Sequence, residues 1–199
     1  MATPLNDLIR STTAAYLSDL DRSNPPAPAT IESELLEKVN KAIAAENLAS
    51  GRKGSDRLHA PKTLTHSQVA DVILAVHPVA RIAATKSEPP ERDQLGIYMP
   101  DGPDEGIYVT SEDAFRSMAR RYNYSLRTAE FKEIYAALLD AAPRRLQTSD
   151  RDLIAVANGV FHYGTKKLMR FSPDFVFTSK LDTPYEPNAR NLVIHNDED

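Results

Sequence analysis

The side chains in this sequence that could hold a metal ion are two neighbouring aspartates and five histidines. Asp150 and Asp152 have the alternating spacing of carboxylates that bind two Mg²⁺ ions in nucleotidyl-transfer sites. The surrounding QTSDRDL is polar, which favours an ordinary loop before a strand. No two histidines are four residues apart and the chain has no cysteine, so zinc is not favoured either; the histidines are His59, His66, His77, His162 and His195. We therefore predict no metal site, no catalytic residue and no cofactor.

Seven basic residues are candidates for contacts with DNA phosphates: Arg116, Arg120, Arg121, Arg127, Lys166, Lys167 and Arg170. Three of them lie on a predicted helix over 111–122, where Arg116 and Arg120 are four apart and share a face. Lys166 and Lys167 are expected at a hairpin tip, with Arg170 on the following strand. A net charge of -4 argues against a protein that coats nucleic acid over its whole surface. We expect weak DNA contacts that are insensitive to sequence; the alternative is ordinary solvated charges.

The composition is that of a globular protein, with 199 residues, 41% hydrophobic and 26% charged. No apolar run approaches the roughly 18 residues that a membrane helix needs. The amino terminus MATPLNDLIR lacks the basic-then-apolar pattern of a signal peptide. We expect a cytoplasmic protein that does not enter a membrane.

Helical periodicity and end signals predict five helices. The first two lie in residues 1–63, and GRKGSDRLHAPK follows them as a linker. Thr65 and Gln68 have the spacing of a capping box at the start of the third helix. Two more helices are predicted over 111–122 and 128–141. These patterns favour a division into a helical N-terminal region with linker, 1–63, and a second domain, 64–199.

The β-prone segments form two groups. QLGIYMPDGPDEGIYVT reads as one hairpin around a Pro/Gly/Asp turn. In the second group Asn158-Gly159 separates two apolar runs, because Asn-Gly supplies the positive φ of a tight turn. Leu168 to Phe171 can pair with the second run, and a third strand is expected over Phe175 to Thr178. The predicted fold class is α+β, mostly helical, with two short β-hairpins and a helical N-terminal appendage.

A second class of function is compatible with the same elements. The helices 111–122 and 128–141, followed by the Asn-Gly hairpin, could form a winged helix-turn-helix of a sequence-specific regulator. Arg127, Thr128 and Lys132 would then begin the recognition helix. Glu130 and Glu133 share that helix and would meet phosphates unfavourably.

The segment from Asn158 to Ala189 resembles the signature of the D-five N-terminal domain. This module precedes the helicase in phage and plasmid primases and in the poxvirus primase-helicase. The matching residues are Asn158, Gly159, Val160, Ser172, Pro173, Thr178, Tyr185, Glu186, Pro187, Asn188 and Ala189. Of these, we interpret as structural Asn158, Gly159, Val160, Pro173, Tyr185 and Pro187. The resemblance extends more weakly back to about Leu64 and leaves 1–63 outside it. Many relatives have an aspartate where this chain has His162.

The resemblance implies a place in DNA replication. In the family the module continues into a superfamily-three helicase, a hexameric ring that hydrolyses ATP while it moves along DNA. This chain contains no G-x-x-x-x-G-K-[ST] motif, so we expect it to lack the ATPase motor. We therefore expect a fragment of a longer protein, non-catalytic by itself, that assists helicase ring assembly or DNA guidance. The implied partners are DNA and a C-terminal helicase domain, and homo-oligomer formation stays open.

Overall fold

The computed structural model describes residues 3–189, so His195 lies outside the described residues. The helices and strands follow one another along the chain as α1 Leu5–Asp19, α2 Pro28–Ala49, α3 His66–Val76, β1 Val79–Ala83, β2 Gln94–Tyr98, β3 Tyr108–Val109, α4 Glu112–Tyr122, α5 Thr128–Ala141, β4 Arg144–Leu146, β5 Leu153–Val156, β6 Gly159–His162 and β7 Lys167–Met169. Short 3₁₀ turns at Gly54–Asp56 and Pro90–Arg92 interrupt two of the loops. The α+β, mostly helical class is confirmed.

The start of α3 shows how local sequence and tertiary packing combine. Thr65 and Gln68 form the predicted capping box, in which the Thr65 hydroxyl accepts from the Gln68 amide and the Gln68 side chain accepts from the Thr65 amide. The Gln68 side chain also donates to the buried Thr13 hydroxyl at 3.1 Å. The polar atoms that begin α3 therefore also join it to α1.

The five helices share one hydrophobic core. Its fully buried members include Leu35 on α2, Ile73 on α3, Phe115 on α4 and Ile134 on α5. The linker is hydrogen-bonded to α2, because the Asn47 side chain donates to the Leu58 carbonyl and accepts from the Leu58 amide, both at 2.9 Å. The N-terminal helices thus pack directly on the rest of the chain, and the division into 1–63 and 64–199 stays a prediction.

The first sheet lies between the helices and the C-terminal part of the chain. Its strand order is β3-β2-β1-β4, antiparallel except for the parallel pair of β1 and β4. One face, with Val79, Leu95 and Ile97, enters the helical core. The other face packs Ile82 and Tyr108, among others, against Val176 in a second apolar cluster.

The predicted hairpins are each part of a larger sheet. The hairpin over 97–109 corresponds to β2 and β3, and the parallel strand β4 arrives from beyond α5. The second sheet has the order β5-β6-β7 and is antiparallel throughout. Its first turn is shifted by one residue from the prediction, because Val156 pairs with Gly159 and the loop is Ala157-Asn158.

The predicted third strand over Phe175 to Thr178 is wrong. The segment is irregular and makes single backbone contacts instead of a ladder. Its Phe177 carbonyl accepts from the Tyr108 amide at 2.7 Å, and the Val176 amide donates to the Thr148 hydroxyl at 2.8 Å. The apolar run reflects the burial of Val176 in the second cluster rather than strand pairing.

Candidate nucleic-acid interface

The β5–β7 sheet contains the Asn158-Gly159-Val160 part of the predicted signature, and Gly159 lies at its first turn. Gly159 has φ +153° and is buried, so it adopts a backbone conformation that residues with side chains rarely take. A Cβ atom there would overlap with the Met169 carbonyl oxygen on β7 and would lie 3.0 Å from Leu168 Cδ1. Glycine is therefore required both by the backbone angle and by the close approach of β7.

Asn158 binds the backbone of another signature residue, Tyr185. Its side-chain amide donates to the Tyr185 carbonyl at 3.1 Å, and its side-chain oxygen accepts from the Tyr185 amide at 2.9 Å. The Tyr185 ring stacks on Phe161, with centroids 4.2 Å apart, and its hydroxyl donates to the Lys166 carbonyl at 3.4 Å. Three parts of the chain thus meet at Tyr185: the β5–β6 turn with Asn158, the β6–β7 turn with Lys166, and the segment 181–185, which we call the exit segment.

The segment before Tyr185 runs along the edge of β5. The Leu181 amide donates to the Ala155 carbonyl at 2.9 Å, and the Ala157 amide donates to the Thr183 carbonyl at 3.3 Å. Pro187 follows in an exposed turn. The two bonds and the Asn158 contacts fix the path by which the chain leaves this sheet.

The Ser-Pro-Asp turn is held by a residue that the sequence reasoning missed. The Arg145 guanidinium on β4 donates to the Pro173 carbonyl at 2.7 Å and to the Asp174 carbonyl at 2.9 Å. The Tyr108 hydroxyl also donates to the Pro173 carbonyl, at 2.8 Å. These bonds fix the position of the Pro173 backbone. No local motif marks Arg145, since its acceptors lie 28 and 29 residues later.

The three hairpin cations are all exposed. Lys166 precedes β7 with φ 56°, and its ammonium lies 3.3 Å from the centroid of the Tyr163 ring. Lys167 begins β7 opposite His162, and Arg170 directly follows that strand. The hairpin therefore presents positive charge beside aromatic rings.

The cations of α4 have different surroundings. Arg116 is half-buried and its guanidinium lies 4.5 Å from the centroid of the Phe131 ring, so it packs α4 against α5. Arg120 and Arg121 are exposed near the end of the helix, where positive charge is favoured. Within residues 3–189, no hydrogen bond joins α4 to the β5–β7 sheet.

The N-terminus of α5 is occupied by a carboxylate. Glu130 accepts a hydrogen bond from the Arg127 amide at 2.8 Å, in the first turn where a DNA phosphate would sit. Arg127 and Lys132 are exposed beside it. Nothing observed supports the sequence-specific regulator.

Two polar contacts between distant residues were not predicted from the sequence. His77 Nε2 lies 2.8 Å from the Tyr122 hydroxyl, and burial, with a contribution from the nearby Arg121 charge, lowers the pKa of His77 to about 4. Arg144 makes a two-pronged ion pair with Asp93, with Nε to Oδ2 at 2.7 Å, and this bonding lowers the Asp93 pKa. Both contacts join residues far apart in sequence and support the framework.

The Asp150 carboxylate is hydrogen-bonded to the backbone. Its oxygen accepts from the Asp152 amide at 2.9 Å, as in the loop that the polar neighbours predict. In the part of the chain that the structure describes, no three His, Asp or Glu side chains come together in a group that could hold a metal ion.

The family of this chain follows from a comparison with known protein families. Residues 8–195 match the family described as D5 N terminal like, and the chain belongs to this family. The family is associated with primase and helicase proteins. The match begins at residue 8, so the prediction that residues 1–63 lie outside the resemblance is wrong; α1 and α2 pack in the same core as the signature-bearing domain's helices.

The family assignment gains nothing from curated relatives or from the apolar character of the helices. A comparison with curated protein sequences found no match. Among residues 3–189, none of the helices combines the length and the apolar character that crossing a membrane demands.

Proposed function

We propose that this chain is a non-catalytic module of a DNA replication primase-helicase, and that it guides DNA for an adjoining superfamily-three helicase. The observation that carries the proposal is the contact of Tyr185 with both Asn158 and Lys166. It joins the exit segment, which in the resemblance leads to the helicase, to the hairpin that presents the cations. A rigid connection of this kind would keep bound DNA in a constant position relative to the motor.

Local charge supports the choice of DNA as partner. Residues 153–173 contain three basic side chains and no acidic one, although the whole chain carries a net charge of -4. Because phosphate contacts release counterions, such a patch binds DNA without regard to sequence. Assistance in ring assembly is the second role of the same proposal, and the exit segment would serve it equally by fixing the domain orientation.

A quadruple alanine variant of Arg120, Arg121, Lys166 and Lys167 tests the DNA contact. We expect weaker binding to two unrelated DNA sequences, by the same factor for each, and a salt dependence reduced by roughly 0.7 to 0.9 in slope per lost phosphate contact. The matched control removes the same charge from four exposed cations elsewhere, namely Arg22, Lys53, Lys86 and Arg92. Fluorescence anisotropy at several salt concentrations measures both. An unchanged slope in the quadruple variant would exclude these residues, and strong preference for one sequence would favour the regulator.

The tether is tested separately by Asn158→Ala. Its side chain is exposed and supplies two hydrogen bonds to Tyr185, so the variant should fold and release the segment. We expect faster amide exchange over 181–185, while Asn188→Ala, an exposed asparagine of the same signature, leaves the exchange unchanged. Equal exchange in Asn158→Ala and the parent chain would refute the tether. The codons that follow residue 199 test the partner, because a helicase should begin with Walker motifs there.

A further inference from the structure

We propose that the β6–β7 hairpin binds single-stranded DNA by stacking a base on Tyr163, with Lys166 and Lys167 contacting the adjacent phosphates. This inference rests on the proposed function and deepens it, because it specifies the form of DNA and the residue that recognises it. Tyr163 itself was not predicted from the sequence as a contact.

The first observation is the exposure of aromatic and apolar side chains on this sheet. Tyr163 is 57% exposed, Leu168 on β7 is 39% exposed, and Leu181, in the segment that runs along β5, is 57% exposed. Leu168 is the cross-strand partner of Phe161, so the two side chains lie on the same face. Exposed large apolar groups on one small sheet are typical of a binding surface.

The second observation is the position of Lys166. Its ammonium lies 3.3 Å from the centroid of the Tyr163 ring and 6.0 Å from that of Phe161. Its φ of 56° is a left-handed conformation that is unfavourable for a residue with a side chain. Strain at an exposed loop residue is common where the residue is held for binding. The Tyr185 hydroxyl, bonded to the Lys166 carbonyl, helps to hold this turn.

Charge selects the occupant of the surface. The hairpin carries three cations, Lys166, Lys167 and Arg170, against the Asp152 carboxylate beside Gly164, and this excess of positive charge attracts a polyanion rather than a neutral protein face. Lys166 lies over one face of the Tyr163 ring, so a base would stack on the opposite face while the backbone of the single strand meets the positive charge. A duplex keeps the faces of its bases stacked on one another and offers none of them to Tyr163. The exposed ring of Tyr163 therefore favours a single strand.

The test compares Tyr163→Ala with the parent chain by fluorescence anisotropy. The probes are a single-stranded oligothymidine about 16 nucleotides long and a duplex of equal length. We expect Tyr163→Ala to weaken single-strand binding roughly 5- to 150-fold, the effect of losing one stacked base, and to leave duplex binding unchanged. Tyr163→Phe, which keeps the ring, should bind like the parent chain. Tyr124→Ala is the matched control, because Tyr124 is 91% exposed and lies in the loop between α4 and α5.

The outcomes separate the two proposals. If the quadruple cation variant loses DNA binding while Tyr163→Ala binds normally, DNA guidance stands and base stacking is refuted. If the parent chain binds neither probe, both proposals fail. Tighter binding of RNA than of DNA of the same sequence would overturn the assignment to DNA. A change of sedimentation coefficient in Tyr163→Ala with unchanged DNA affinity would instead assign this face to a second copy of the chain. Thermal melting of each variant confirms that it is folded.

Discussion

Replacing Gly159 with alanine or valine should destabilise the protein through two separate effects. Glycine adopts the backbone angle φ +153° freely, whereas other residues adopt it at a free-energy cost of about 1–3 kcal/mol. The added Cβ would also overlap with the Met169 carbonyl oxygen, and β6 and β7 would have to separate to make room. Forcing an extra group into a packed site costs a further ~1–3 kcal/mol. We therefore expect Gly159→Ala to lose about 2 kcal/mol or more, and Gly159→Val at least as much.

Urea denaturation followed by far-UV circular dichroism measures this loss. A shift of the midpoint with unchanged slope would indicate a change of stability in the folded state. By heating, each kcal/mol lost should lower Tm by about 2–4 °C in a protein of this size.

Gly102→Ala isolates the backbone effect. Gly102 has φ +80°, and no atom lies within 4 Å of where its Cβ would be, so the substitution adds the angular strain without the steric overlap. We expect it to lose roughly 1 kcal/mol. Equal losses in Gly102→Ala and Gly159→Ala would refute the contact with Met169, and no loss in Gly159→Ala would refute the turn itself.

Four further predictions concern the framework and the absence of a motor. Because the His77 pKa is lowered from 6.5 to about 4, the unfolded state takes up a proton first as the pH falls. The free energy of unfolding should have its full value above pH 6.5 and should decrease by up to about 3 kcal/mol as the pH falls towards 4. The variant His77→Gln should show a smaller decrease. Arg144→Met should destabilise the protein at neutral pH, and this loss should shrink as the pH falls and Asp93 is protonated, since the lowered Asp93 pKa means that the pair stabilises only while Asp93 is ionised. Limited proteolysis should cut first within 50–62, and the fragments should stay associated through the shared core; first cuts inside 111–171 would contradict the domain boundary. The purified chain should hydrolyse no ATP above background with or without DNA, and turnover that survives repurification would contradict the proposal of a non-catalytic module.

Local signals in the sequence were sufficient for the helices and for the second hairpin. Thr65 and Gln68 mark the start of α3 because a capping box needs only residues three apart. The Asn-Gly pair located the first turn of the β5–β7 sheet to within one residue, since the positive φ of Gly159 is a property of that position alone. The family signature was also visible, because it lies in one continuous segment.

Only the tertiary structure decided what these residues contact. Asn158 bonds to Tyr185, 27 residues later, and Arg145 bonds to Pro173, 28 residues later; nothing in the spacing indicates such partners. Likewise, β4 pairs in parallel with β1 after two intervening helices, which no local pattern predicted. The apolar residues around Val176 predicted a strand, whereas the burial of Val176 explains them. Periodicity and capping act over a few residues, whereas the partner of a polar group and the face that stays exposed depend on which distant segments pack together. The sequence by itself therefore determined the elements and the family of this chain, and the packing of distant segments determined the tether at Tyr185 and the exposed ring of Tyr163.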